Sequence, residues 1–305
     1  MCNAPVRKFK PILPKRFKNP QNDAPSSAKF PDGGSAHVDK NGNLVVKGGS
    51  GDDEIQVDRL KNGNYGVTVN GVYREIEGSQ VESLRVKGKN GNDAIQVGQN
   101  VKVPTIIDGG KGHDAIVNHS SDAYIRGGQG NDWIANTGKN AHIDGGRGND
   151  AIANSGDGAI IGGGRGHDVI VNTGDQAHIR GGRGHDVIAN SGDFTTLNGN
   201  SGHDIVYNEG DFSSVRGGRG NDVVANEGDF SRVRGGRGND VVVNEGDFTR
   251  VNGNRGHDVV YNDGDFSSAR GGRGFDQVLN TDRQANDELN RHLARYLYSG
   301  HLLRR

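Results

Sequence analysis

One cysteine, one methionine and one tryptophan in 305 residues leave this chain almost without the side chains that cross-link a fold or anchor a wide core. Cys2 alone cannot close an intramolecular disulfide, and no lipoprotein-type apolar segment precedes it, so it reads as incidental. Hydrophobic residues make up only 31%, so folding must draw on backbone ladders, stacked side chains and bound ions as well as on burial. No run of 18 apolar residues is present, which argues against a membrane-spanning helix, and no apolar stretch near the start marks a classical signal peptide. Charge of one sign is missing too: 37 Lys and Arg stand against 38 Asp and Glu, a formal charge of −1.

What the chain has is glycine, 52 of them, and a strict period. Asp114, Asp132, Asp150, Asp168, Asp186, Asp204, Asp222, Asp240, Asp258 and Asp276 recur every 18 residues, each closing a Gly-rich turn and opening a short apolar run. At half that period an aliphatic residue recurs, as in Ile161, Ile170, Ile179 and Ile188. Nine residues suit a short strand plus a turn, so each unit is two strands and two turns. The fold expected is all-β: a parallel β-roll or β-helix solenoid with 18-residue coils. A hexapeptide helix is excluded, because six residues on from Ile170 stands Gln176.

The first half of a unit reads Gly-Gly-Arg-Gly-His-Asp-Val-Ile-Val at 163 to 171. Weaker copies surround Asp53 and Asp93. This pattern resembles the nonapeptide of the repeats-in-toxin (hemolysin-type) calcium-binding β-roll family. The resemblance covers most of residues 48 to 280. It implies a calcium-binding roll, and secretion by the type I route through an uncleaved C-terminal signal, which the basic end of this chain fits poorly. Ligands would be the aspartates named above with Asp53 and Asp93, together with carbonyls of Gly109, Gly127, Gly145, Gly163, Gly181, Gly217, Gly235 and Gly271. The residue types agree: glycine turns can aim carbonyls inward, and hard cations take six to eight oxygens.

Electrostatics requires a counter-charge. Carboxylates in coils about 4.8 Å apart repel by about 3 kcal/mol at an effective dielectric near 20. Calcium is one remedy. Arginine is another, and Arg147, Arg165, Arg183, Arg219, Arg237, Arg255 and Arg273 occupy the third turn position. Repeats-in-toxin proteins are strongly acidic, which this chain is not. The other half-unit, as in Asn172-Thr173-Gly174-Asp175, lacks the glycine pair and puts Ala, Ser or Thr at the ligand slot, so ions are expected along one edge only. The ranks Asn118 to Asn280, and Phe194 to Phe266, read as structural ladders. His113, His167, His185, His203 and His257 alternate with asparagine in one slot, which indicates an exposed turn position rather than a zinc site.

Residues 1–31 hold six of the seven prolines and a basic cluster, a composition that reads as a disordered, solvated arm. Residues 32–108 carry irregular repeats, with a β-hairpin around Asn70-Gly71, and are expected to cap the N-terminal end. The ten-coil roll spans 109–280. Residues 281–305 begin with the capping-box pair Thr281 and Gln284, followed by Ala285, Leu289, Leu293 and Leu297 at helical spacing, so a capping helix is expected there.

The two sheets differ outward. Val169, Val187, Ile205, Val223, Val241 and Val259 form one apolar rank, whereas Arg216, Arg232, Arg234, Arg250 and Arg270 face out on the other sheet. An unbroken apolar rank marks a contact surface, here for a homodimer. The expected protein is a non-enzymatic, extracellular, calcium-binding scaffold of structural or adhesive kind, with no nucleic-acid partner. The alternatives are a binder of ice or polysaccharide through the flat sheet face, and an accessory module of an exported enzyme.

Overall fold

The computed structural model describes residues 25–281. Two 14-stranded sheets run along the molecule, and the chain passes from one to the other at every half-coil. One sheet holds the six-residue strands, such as Ile160–Arg165, His178–Arg183 and Arg232–Arg237; the other holds four-residue strands, such as Val169–Asn172 and Val187–Asn190. From Ser83–Asn90 onward all pairing is parallel, first at an offset of 21 residues and then, from Thr105–Lys111 onward, in register at 18, so Ile152 lies beside Ile170 and Ile161 beside Ile179. This is the parallel β-solenoid read from the period.

Side chains alternate across each strand, so one aliphatic residue per strand points inward. Ile116, Ile125, Ile134, Ile143 and their successors to Val260 are at most 3% exposed and form a narrow core between the sheets. At the corner that follows each four-residue strand, asparagine turns inward. Asn172 Nδ2 donates to Gly174 O and to Asn190 Oδ1, both at 2.7 Å. The same pair of bonds repeats from Asn118 to Asn244. Phe194, Phe212, Phe230, Phe248 and Phe266 stack with ring centroids 4.9–5.0 Å apart. Both ladders are therefore structural.

At the N-terminal end the sheets finish in antiparallel strands. Ser27–Lys29 pairs with Ser35–Val38, and Tyr65–Val69 pairs with Val72–Ile76 around Asn70 and Gly71, both at positive φ. The expected hairpin is present. The arm expected over 1–31 is too long at its inner end, because Ser27–Lys29 is a strand and Phe30 is buried against the core. Residues 1–24 lie outside the described residues. So does the expected capping helix, apart from Thr281, whose Oγ1 donates to Asp263 Oδ1 at 2.5 Å.

Candidate metal centre

Each Gly-rich turn is built around its first glycine. A Cβ on Gly163 would fall 2.5 Å from Asp168 Oδ2 and 2.6 Å from Gly181 O of the next coil. Only a residue without a side chain leaves that gap to the two oxygens. Gly164 and Gly166 follow with φ of 115° and 132°, a region side-chain-bearing residues rarely enter. The chain thus turns tightly enough to fold the aspartate back under its own strand.

The aspartates are buried, Asp168 completely and Asp114 to Asp258 at no more than 2% exposure. Their two oxygens are treated differently. Oδ1 accepts the backbone N–H of the preceding coil's aspartate: Asp150 N to Asp168 Oδ1 at 2.9 Å, and Asp168 N to Asp186 Oδ1 at 2.9 Å. Oδ2 is buried and has no hydrogen-bond partner in Asp93, Asp114, Asp132, Asp150, Asp168, Asp186, Asp204, Asp222, Asp240 and Asp258. In all ten, Oδ2 shares the gap beside a glycine with a glycine carbonyl of the following coil. Two acceptors facing one gap require a proton or a cation between them.

Burial pushes these carboxyls up: Asp168, Asp186, Asp204 and Asp222 to about 6, Asp132 to about 7 and Asp150 to about 8. The N–H bond to Oδ1 works in the opposite direction, and for Asp150 the neighbouring Asp132 and Asp168 add repulsion. Arginine does not neutralise the row. Arg147, Arg165 and Arg183 are exposed on the outside of the turns, and the described ion pairs are Arg126 with Asp144 and Lys139 with Asp157.

Not every expected ligand matches. Asp53 departs from the set, since its Oδ2 accepts from Gly49 N at 2.6 Å and its Oδ1 from Asn70 Nδ2 at 2.8 Å. Asp276, in the last described coil, is half-exposed, and among the described residues no glycine carbonyl of a following coil lies beside it. Conversely, Gly199 and Gly253 hold the same position as Gly163, against Asp204 and Asp258. The sequence pattern missed them because Asn200 and Asn254 replace the second glycine; asparagine tolerates the left-handed backbone required there, at φ 75° and 83°.

Among the described residues no three His, Cys, Asp or Glu side chains cluster to hold a metal. The set offered is instead one carboxylate per coil with backbone carbonyls, a donor type suited to a hard, oxygen-seeking cation. The opposite edge lacks such a set: Thr195, Ser213, Ser231 and Thr249 fill the slot, and their hydroxyls accept or donate within the turns. The histidines do not converge on a metal either. His167, His185 and His203 stack at 4.9 Å, and each Nδ1 accepts the N–H of the next coil at 2.8 Å. Asparagine Oδ1 makes the same bond in Asn131 and Asn149, which explains why the two residue types interchange.

No family model matches the chain, and no curated protein matches it. Among solved structures, the fold is similar to that of a hyperactive, Ca2+-dependent, β-helical antifreeze protein from an Antarctic bacterium, known from an X-ray crystal structure. The TM-score is 0.54 at 21% sequence identity, over 83% of this chain and 80% of that one. The likeness is one of architecture: this chain is a β-solenoid of the same general build.

Proposed function

We propose that this chain is a non-enzymatic, calcium-binding solenoid that serves outside the cell as a rigid structural or adhesive scaffold. The observation that carries the reading is the row of ten buried, unpartnered Asp Oδ2 atoms, each beside a glycine carbonyl of the next coil. Calcium favours mixed carboxylate and carbonyl oxygens, and sites with few charges bind it at about 10⁻⁴–10⁻³ M, the range of extracellular modules. Asp114 to Asp258 and the paired glycine carbonyls would hold it; when bound, it supplies the positive charge the carboxylates lack. The non-enzymatic reading is supported by the unbroken recurrence of strands between residues 109 and 280, which leaves no irregular loop on which to place catalytic groups.

Equilibrium dialysis against calcium, paired with thermal melts, tests this. Several ions per chain and a raised melting temperature are expected. Fewer than two ions at millimolar calcium would overturn the reading and leave the carboxyls to be neutralised by protons.

The apolar sheet face belongs to the same proposal as the contact between two copies. Val169, Val187, Ile205, Val223, Val241 and Val259 are 38–50% exposed in one rank along consecutive strands. A second reading, binding to ice, is favoured by the similarity to the antifreeze protein. The outward ranks here are Val and Ala rather than the Thr or Asn that such a surface favours. Thermal hysteresis of the calcium-loaded protein separates the two: a measurable freezing gap would replace self-association with ice binding.

A further inference from the structure

We propose that the arginine face of the solenoid binds an extended, carboxylated polysaccharide lying across the strands, parallel to the solenoid axis. This inference rests on the stacking of the coils and not on their calcium content. Six successive strands, His178–Arg183, Thr196–Ser201, Ser214–Arg219, Arg232–Arg237, Arg250–Arg255 and Ser268–Arg273, contain no aspartate or glutamate, and five of them carry two or three arginines.

Register places these cations side by side. Arg232 lies opposite Arg250, Arg216 opposite Arg234, and Arg219, Arg237, Arg255 and Arg273 form an unbroken rank. Like charges directly opposite one another destabilise a sheet. Among the described residues none of these arginines forms an ion pair. An array of this kind is relieved by a polyanion laid along it.

The surface also has a shape. Arg232, Arg234, Arg250, Asn252, Ser268 and Arg270 line a shallow trough of about 640 Å³. Arg232 and Arg250 also line a second hollow of about 300 Å³, walled by the edges of Phe212, Phe230 and Phe248. The two make one groove, cationic on its floor and apolar on one side. Its features repeat every 4.9–5.0 Å, the spacing of the phenylalanine rings.

That repeat selects the partner. A guanidinium fork matches a carboxylate in a planar, two-bond geometry. A homopolymer of uronic acid offers one carboxylate per sugar, a unit about as long as one coil, and its ring carbons can rest on the phenylalanine edges. Nucleic acid fits less well. Duplex phosphates advance about 3.4 Å per step on each strand, out of phase with the coils. Single strands need open aromatic faces on which bases stack, and here the rings are closed on one another at interplanar angles of 2–10°.

The test is isothermal titration of the full chain, at one fixed calcium concentration, with a mannuronate oligomer long enough to span six coils. Its fully methyl-esterified counterpart and single-stranded DNA of equal charge are the comparison ligands. The acidic oligomer should bind, bind more weakly as salt is raised, and exceed both comparison ligands. Arg232→Ser with Arg250→Ser should weaken it by about tenfold without changing the circular dichroism spectrum, because Ser214 and Ser268 already occupy the same rank. Arg74→Ser, which removes an exposed cation from the N-terminal hairpin strand Val72–Ile76, should leave it unchanged. No binding at low salt, equal binding of the ester or the DNA, or an unaltered affinity in the double variant would each overturn the proposal.

Discussion

At Asp168 one carboxylate carries two separate duties, and they can be separated by a single atom. Oδ1 holds the preceding coil through the N–H of Asp150, while Oδ2 sits unpartnered beside Gly181 O. Asp168→Asn keeps the first and turns the second into an N–H donor. The metal-free protein should gain about 1–2 kcal/mol from the relieved acceptor pair, and calcium uptake should fall at that coil; urea melts with dialysis check both. Titration follows from the same burial. The folded carboxyls stand at about 6 to 8 against an ordinary 3.8, so between pH 4 and 8 the folded chain holds protons that the unfolded chain has released. Metal-free stability is therefore full below about pH 4 and declines as pH rises through 6 to 8. Calcium uptake runs the other way and weakens on acidification, because protons compete for the same oxygens. Urea midpoints across pH, with chelator and with calcium, should show the two slopes of opposite sign. The histidine rank makes a third case: His185→Asn preserves the acceptor for His203 N and should be neutral, whereas His185→Leu should cost about 1 kcal/mol.

At the scale of the turn, the two corners of a coil solve the same bend with different chemistry. The Gly-rich corner uses a left-handed backbone that glycine follows without strain and that asparagine at 200 and 254 and Lys89 also adopt; the other buries an asparagine amide that bonds along the axis. Gly163→Ala should unfold its coil locally and cost about 2–4 kcal/mol, because the methyl would claim the space of Asp168 Oδ2 and Gly181 O; hydrogen exchange would place the loss at the neighbouring strands. The phenylalanines show a compensation. Phe212, Phe230 and Phe248 sit at φ near 55°, a strained region for a bulky residue, and gain a stacked neighbour on each side. Much of this was legible in the sequence. The 18-residue spacing of Asp168 and the nine-residue spacing of Ile170 give coil length, strand register and the inward set, since each is a one-dimensional property of the chain. What escaped depends on atoms rather than spacing. Nothing in the spacing says that one Asp oxygen is consumed by an N–H, that Asp53 has both satisfied by Gly49 and Asn70, or that His and Asn share a δ1 acceptor. The arginines are offset from the aspartates by only three residues, and yet the bend at Gly166 and His167 between Arg165 and Asp168 leaves the one outside and the other buried.

Over the whole molecule, the period sorts chemistry onto separate surfaces: apolar on one sheet, cationic on the other, with carboxyls buried along one corner and partly exposed aspartates along the second. If the apolar sheet joins two copies, Val187→Lys combined with Val223→Lys should give a monomer with an unchanged coil, read by light scattering and circular dichroism; an already monomeric parent would exclude self-association. The buried aspartates also give the rod a direction. Each backbone N–H at this position is received by the carboxylate of the coil that follows, from Asp53 N on Asp93 to Asp258 N on Asp276. A coil is thus finished only by its successor. The N-terminal end closes on its own hairpins, and the other end of the described rod is always one coil short of complete. A chain presented from its N-terminus into a calcium-rich space would set coil by coil, like a zip with a single slider, and each closed coil would keep the chain from slipping back.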